Sequence, residues 1–182
     1  MKKNLIFVLL LSITSCGQSV KQGSNNSQIA GDWKVYEQSA YSISYPPTWE
    51  LNLSGQMGAT LFIFSPLESD NDTFKENINL MIQDLSGLNL DLDNYTEISE
   101  EQIRTLMTNS SMVESKRMKN DKGEYHKLIY TGDQGVFHLT YEQYYWIISD
   151  KAYILTFTSE QDKYAKYKET GEKILNSFVL KK

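Results

Sequence analysis

The chain has 182 residues and carries 18 basic against 23 acidic side chains, which gives a formal net charge of −5 at pH 7. That length suits one ordinary domain with or without a tail. Hydrophobic residues make up 40% of the chain, which is enough for a packed core. The acidic balance argues against nucleic-acid binding, which needs a basic surface to neutralise phosphates. A single cysteine excludes an intrachain disulfide and any metal cluster built on cysteines.

Residues 1–16 have the pattern of a bacterial lipoprotein signal. Two lysines precede an apolar run at 5–11, which is too short to span a membrane, since a spanning helix takes about 20 apolar residues. The segment ends Ile13-Thr14-Ser15-Cys16, which resembles the lipobox motif of an aliphatic residue, two small residues and a cysteine. The resemblance implies that Cys16 is acylated and becomes the first residue of the mature protein. A plain secretory signal with an incidental cysteine is the alternative.

A lipidated Cys16 predicts where the protein resides. Each buried CH₂ group contributes about 0.8 kcal/mol, so the two or more acyl chains of a lipoprotein anchor it stably. Residues 17–30 are rich in Gly, Ser, Asn and Gln and predict a flexible tether, followed by a single domain at 31–182. We therefore expect a lipid-anchored protein of the cell envelope, on the outer membrane facing the periplasm if the cell is Gram-negative.

The first half of the domain has the residue pattern of β-strands. In 41–45 aromatic and aliphatic residues alternate with serines, and 59–64 is a short continuous apolar run, as in a strand that is buried on both faces. Pro46-Pro47 ends the first of these strands, because proline has no N–H for the ladder. The predicted strands are 41–45, 49–53, 59–64 and 78–82.

The second half predicts a helix, four strands and a closing helix. Ser99 and Gln102 have the spacing of a capping box, which predicts a helix from Ser99 to about Asn109. Strands are predicted at 112–119, 124–130, 136–148 and 152–158, with 132–135 as a tight connection. Ser159 is the predicted N-cap of the last helix. The apolar face of that helix comprises Tyr164, Tyr167, Gly171, Ile174 and Phe178.

This order predicts an α+β fold, an antiparallel β-sheet with helices packed on it. The chain also resembles the PsbP-like group (PsbP, Mog and DcrB types) over about residues 33–180. Two of the motifs are Trp33-Lys34-Val35-Tyr36 and Phe74-x-Glu76-Asn77-Ile78-Asn79-Leu80; the others lie at 41–49, 92–95, 153–158 and 174–178. The resemblance implies an α/β/α sandwich. It implies no shared activity, because function on a common fold depends on the site.

Four aromatic residues of one predicted strand are a candidate binding surface. Tyr141 and Tyr145 must face one side of the sheet, while Tyr144 and Trp146 face the other. Tyr and Trp are enriched at interfaces, so an exposed set would suit a partner. Packing of both sets under helices is the alternative.

Two histidines are candidates for a metal site. His126 and His138 lie on strands joined by one turn, and Glu124 or Glu142 would supply carboxylate ligands. The alternative is two unrelated histidines on a polar strand face. The sequence contains no G-x-S-x-G, H-E-x-x-H or glycine-rich phosphate loop, so we expect neither an enzyme nor a cofactor.

The favoured function is a non-enzymatic envelope protein that binds or supports another envelope protein. One alternative is a small-ligand carrier, since Gly31-Asp32-Trp33 resembles the G-x-W opening of lipocalins. A helix in mid-chain argues against their up-and-down barrel, while an enclosed cavity of several hundred Å³ would favour a carrier. The other alternative is a metal-binding protein that uses His126 and His138.

Overall fold

The computed structural model describes residues 33–181, which form two antiparallel β-sheets and two α-helices. A 3₁₀ turn, Gln56–Gly58, precedes the fourth strand. In chain order the elements are β1 (Lys34–Glu37), β2 (Tyr41–Tyr45), β3 (Glu50–Asn52), β4 (Leu61–Phe64), β5 (Asn77–Asp84), α1 (Leu92–Leu106), β6 (Thr108–Asn120), β7 (Gly123–Gln134), β8 (Phe137–Ile148), β9 (Lys151–Glu160), α2 (Tyr164–Ser177) and β10 (Val179–Leu180).

The larger sheet has the strand order β3-β4-β5-β9-β8-β7-β6, and the smaller has the order β1-β2-β10. Helix α1 packs on one face of the larger sheet, against β6, β7 and β8. Helix α2 packs on the opposite face, against β9 and β5, and also contacts β2 of the smaller sheet. The predicted antiparallel sheet with helices packed on it is confirmed.

Strand β9 shows how the sequence separates the two faces. Leu155 and Phe157 belong to the apolar cluster under α2 and the small sheet, whereas Ile154 belongs to the cluster under α1. Because successive side chains of a strand point to opposite faces, one strand serves both cores. Because β9 is buried on both faces, its sequence is a nearly continuous run of apolar residues and threonines.

The first helix begins earlier than the capping box predicts. Asp91 is the N-cap, and its carboxylate accepts a 2.8 Å hydrogen bond from the backbone N–H of Asn94. Ser99 is buried inside the helix, where its hydroxyl donates to the carbonyl of Tyr95. The predicted start was wrong because Leu92 and Tyr95 also bury apolar surface, so the helix gains by including them.

The start of the second helix was also predicted too early. Ser159 lies within β9, opposite Thr140 of β8, and α2 starts only at Tyr164 after a turn. The ladder with β8 continues to Glu160, and these backbone hydrogen bonds outweigh the capping preference of one serine.

The connection predicted at 132–135 belongs mostly to β7. This strand continues to Gln134, and the turn itself is Gly135-Val136, where Gly135 has φ +61°. The short strands β1 and β10 were not predicted; β10 has only two residues, which are too few to show a period. The signal peptide, the lipidated Cys16 and the tether lie outside the described residues. Within 33–181 no helix is long and apolar enough to span a membrane.

Candidate functional site

A groove lies on the face of the large sheet that carries α1. The helix covers this face over β6, β7 and β8, and the groove opens beside it over β4, β5 and β9. The groove contains a solvent-open cavity of about 70 Å³, which is room for a few water molecules. It is lined by aromatic residues (Phe62, Phe64, Phe74, Tyr95, Tyr130, Tyr141 and Tyr145), carboxamides (Gln56, Asn77, Asn79, Gln83, Gln134 and Gln143), two threonines (Thr156 and Thr158) and four aliphatic residues (Met57, Met81, Met107 and Ile154).

The strand register places a row of polar side chains across the groove floor. Asn79 of β5 lies between Phe62 of β4 and Thr156 of β9, and Thr156 lies opposite Gln143 of β8. Gln143 donates a 3.0 Å hydrogen bond from Nε2 to the hydroxyl of Thr156 and accepts one from the hydroxyl of Tyr145. The row is therefore held in position by the backbone ladder and by bonds among its own members.

A second row runs parallel to the first. Asn77 lies between Phe64 and Thr158, and Thr158 lies opposite Tyr141. Asn77 donates from Nδ2 to the carbonyl of Lys75 at 3.1 Å. Both rows consist of polar groups in the middle of a sheet face, a region that packing against a helix usually makes apolar.

Asn79 is the group for which the fold supplies no partner. Its side chain lines the groove and is 3% exposed. Among the hydrogen bonds within residues 33–181, none involves its carboxamide. Its amide atoms border the solvent-open cavity and are not fully buried, so water can pair with them. Gln134 differs: its Oε1 accepts from the hydroxyl of Tyr141 at 3.0 Å, and its fully buried Nε2 has no acceptor in the described part of the chain, which costs about 1–3 kcal/mol.

No residue of the groove lining carries a charge. The tyrosines stay neutral, because burial raises the pKa of Tyr95, Tyr130, Tyr141 and Tyr145 above that of a free phenol. Their hydroxyls therefore keep their protons across the physiological pH range, and three of them donate to carboxamides of the groove: Tyr95 to Gln83, Tyr141 to Gln134 and Tyr145 to Gln143. The groove is neutral in a chain in which 23% of residues are charged.

Comparisons with known proteins bear on the fold. The chain is similar to the solution structure of cyanobacterial PsbP (CyanoP) from Synechocystis, with a TM-score of 0.62 and 16% identity over 87% of this chain and 98% of that one. LpqN of Mycobacterium tuberculosis, described as involved in cell envelope biogenesis, gives a TM-score of 0.61 and 12% identity. The match covers 87% of this chain and 100% of LpqN. PA94 of Pseudomonas aeruginosa, described as a protein of unknown function and putative regulator, gives a TM-score of 0.60. The identity is 12%, and the match covers 84% of this chain and 99% of PA94.

The fold is PsbP-like. No protein-family model matches the sequence, and no curated protein sequence matches it either. The likeness therefore concerns the path of the backbone, and the role of the groove has to be argued from its own residues.

The four aromatic residues of β8 are all buried in this PsbP-like fold. Tyr141 and Tyr145 face α1 and line the groove, while Tyr144 and Trp146 pack under α2 and the small sheet. The predicted division between faces is confirmed. No exposed aromatic surface forms, because both faces of β8 are covered. Binding by Tyr141 and Tyr145 through the groove stays a prediction.

The two histidines do not meet. His126 lies opposite Tyr145, whereas His138 lies opposite Asp133. Positions 126 and 133 on β7 are about 20 Å apart at the usual rise of a strand. His126 Nε2 is 2.8 Å from the hydroxyl of Ser115, and His138 Nδ1 is 2.6 Å from Asp133 Oδ1. A metal site shared by the two histidines was therefore a wrong hypothesis.

The expected carboxylate partners of the histidines serve other groups. Glu124 forms a 2.7 Å ion pair with Arg117, and the buried Glu142 forms a 2.9 Å ion pair with Lys127 on the α2 face. Within residues 33–181 no three metal-ligating side chains cluster around a common point.

The PsbP-like fold also differs from the lipocalin alternative. The large sheet is open, with β3 and β6 as its two edges, and α1 interrupts the order of strands. The groove cavity is open to solvent and smaller than the enclosed cavity expected of such a carrier.

Sequence reasoning missed Asn77 and Asn79. The strand was predicted from Ile78, Leu80 and Ile82, and neither asparagine was given a role. Asparagine is depleted in strands, and two asparagines at alternate positions, the first and third residues of β5, were the available signal.

Glu76 stands directly before β5 and provides a pH-dependent prediction. It is fully buried: Ser65 donates to its Oε2 at 3.3 Å, while Oε1 has no partner within the described chain. Burial raises the pKa of this carboxyl, and the nearby charge of Lys163 opposes the shift only in part. The folded state therefore holds the proton more tightly than the unfolded state, and stability falls as pH rises through the window above the unfolded pKa.

We expect Glu76→Gln to stabilise the protein by about 1 kcal/mol near pH 7, because a neutral amide is cheaper to bury than a carboxylate. The gain should vanish near pH 4, where the wild-type carboxyl is protonated. Urea unfolding at both pH values measures it, and Glu50→Gln, at an exposed carboxylate, is the control. A loss of stability near pH 7 would contradict the prediction.

Proposed function

We propose that the chain is a non-enzymatic, lipid-anchored protein of the cell envelope that acts by binding another envelope component. The observation that carries the proposal is the neutral groove, in which the carboxamide of Asn79 faces a solvent-open cavity and has no partner within the described chain. A bound ligand would replace water as the hydrogen-bond partner of this carboxamide. The PsbP-like fold shared with LpqN, which is described as involved in cell envelope biogenesis, supports an envelope role.

From the sequence analysis we expect the partner to be another envelope protein, and the proposal includes this expectation. In-cell cross-linking tests it. A photoreactive residue in place of Gln56, which is exposed at the groove rim, should give an adduct with another envelope chain. The same residue in place of Lys168, exposed on α2 at the opposite face, is the matched control. Equal labelling from both positions, or from neither, would contradict binding of a protein at the groove.

A small ligand in the groove is the second candidate function. The specific observation in its favour is the size of the cavity, since about 70 Å³ holds one small chemical group and no folded element of a partner. If a small ligand occupies the groove, the photoreactive residue in place of Gln56 yields no protein adduct, while the purified protein binds its ligand saturably.

The lipid anchor is tested separately. Cys16→Ser removes the thiol that lipidation requires. We expect this variant to remain unprocessed or to leave the membrane fraction, whereas Ser15→Ala, which keeps a small residue beside the cysteine, should behave as the wild type. Fractionation and mass spectrometry of the mature N-terminus measure both. Normal processing and full membrane retention of Cys16→Ser would contradict lipid anchoring.

A further inference from the structure

We propose that the groove binds a neutral sugar ring. The inference rests on the proposed function, in which the groove is a binding site, and it adds the chemical class of the ligand. Three properties of the groove carry it: its lack of charge, its free hydrogen-bonding groups and its aromatic walls.

The first property is charge. All the residues that line the cavity are uncharged at physiological pH. A charged ligand that entered would lose its hydration and find no ion of opposite sign, which is strongly unfavourable. Phosphates, carboxylates and ammonium groups are therefore poor occupants, and a ligand without net charge on its buried part is favoured.

The second property is the free hydrogen-bonding capacity of Asn79. Its carboxamide faces the cavity and offers an acceptor and two donors. A sugar hydroxyl both donates and accepts, so it can satisfy either end of a carboxamide. A fatty-acid chain would displace water from the groove and leave this carboxamide unpaired, at a cost in affinity.

The third property is the arrangement of aromatic rings at the two sides of the polar rows. Phe62 and Phe64 stack with ring centroids 5.1 Å apart and an interplanar angle of 6°, and Tyr130 and Tyr141 stack at 4.9 Å and 14°. The C–H groups on the face of a sugar ring carry partial positive charge and pack on the negative face of an aromatic ring. The cavity of about 70 Å³ is smaller than a whole sugar ring, so one edge of the ring would enter it and the remainder would lie in the solvent-open groove.

The position of the groove separates a sugar from an extended peptide. A peptide strand binds by adding to the free edge of a sheet, where backbone groups are unpaired. Asn79 lies on β5, which is paired on both sides by β4 and β9, so the groove offers side chains and no free edge.

Titration of the full chain by calorimetry tests the proposal. The protein is kept in an amine-oxide detergent, because a glucoside or maltoside detergent would itself present a sugar. The probes are glucose, N-acetylglucosamine and the unbranched trisaccharide of each, with glucuronic acid as the charged comparison. We expect saturable millimolar or tighter binding of at least one neutral sugar, at least tenfold tighter than glucuronic acid. Comparing each monosaccharide with its trisaccharide distinguishes a free sugar from the end of a longer glycan.

Two variants locate the binding. Asn79→Leu keeps the branching and the number of non-hydrogen atoms and removes the amide, so it should weaken sugar binding at least tenfold while the melting temperature stays equal or rises. Phe64→Leu, at the half-buried wall, should weaken binding several-fold. Thr140→Val, a buried polar position on the other face of β8, is the control and should bind as the wild type.

The proposal is overturned if no neutral sugar binds at tens of millimolar, if glucuronic acid binds as tightly, or if Asn79→Leu binds as the wild type. These outcomes are distinguishable from failure of the proposed function. A chain that binds no sugar and still gives an adduct from Gln56 is an envelope-binding protein with a protein ligand.

Discussion

Replacing Lys127 with methionine is expected to lower the free energy of unfolding by about 3 kcal/mol, because it leaves a buried charge without its partner. The carboxylate of Glu142 is fully buried and lies 2.9 Å from Lys127 Nζ. It also accepts hydrogen bonds from the hydroxyls of Tyr144 and Tyr164, which remain in the variant. Burial by itself would lower the pKa of Lys127, but the neighbouring glutamates outweigh it and keep that pKa raised, so Lys127 is charged.

Two further variants separate the loss of the buried ion pair from a general loss of positive charge: one breaks an exposed ion pair, and the other also removes the charge of Glu142. Lys119 forms a 3.3 Å ion pair with Glu124, with both side chains well exposed, so Lys119→Met should change stability by less than about 0.5 kcal/mol. Adding Glu142→Gln to Lys127→Met should recover most of the loss, since the amide oxygen can accept from one of the two tyrosine hydroxyls and the amide NH₂ can donate to the other. Urea unfolding measures all of these variants. Equal effects of Lys127→Met and Lys119→Met would contradict the buried pair.

Gly171→Ala is expected to destabilise the protein by about 1–3 kcal/mol, because the added methyl overpacks the core. Gly171 is buried on the face of α2 that packs on the sheet, and a Cβ there would lie 2.6 Å from Cδ1 of the Phe157 ring. Phe157 is fully buried and also packs against the ring of Tyr164, which limits its movement. On an exposed helical position the same change would stabilise by about 0.5–1 kcal/mol through helix propensity.

Overpacking lowers the free energy of unfolding and helix propensity raises it, so the sign of the measured change shows which effect dominates at Gly171. Ala165→Gly, at an exposed position of the same helix, measures the propensity term alone and should cost about 0.5–1 kcal/mol. Thermal unfolding compares the two variants with the wild type. A Gly171→Ala variant that is more stable than the wild type would show that Phe157 and α2 shift at little cost.

The candidate groove was partly within reach of sequence reasoning. The alternation on β8 assigned Tyr141 and Tyr145 to one face, and the structure places both at the groove. Asn79 was not predicted, because alternation with Ile78 and Leu80 is typical of a strand with one face in water. Whether that second face meets solvent, a helix or a ligand depends on where α1 packs, and nothing within the strand records that position.

The sequence by itself determined the local features of this protein. The alternation in 41–45 and 136–148, the prolines after Tyr45 and the apolar face around Gly171 predicted strands and a docked helix, because each depends on neighbours within one or two turns of chain. Only the tertiary structure decided where the helices start, that His126 and His138 are far apart, and that Asn79 lines the groove without a partner in the described chain. Those features depend on strand register and helix placement, which are set by contacts between residues distant in the chain.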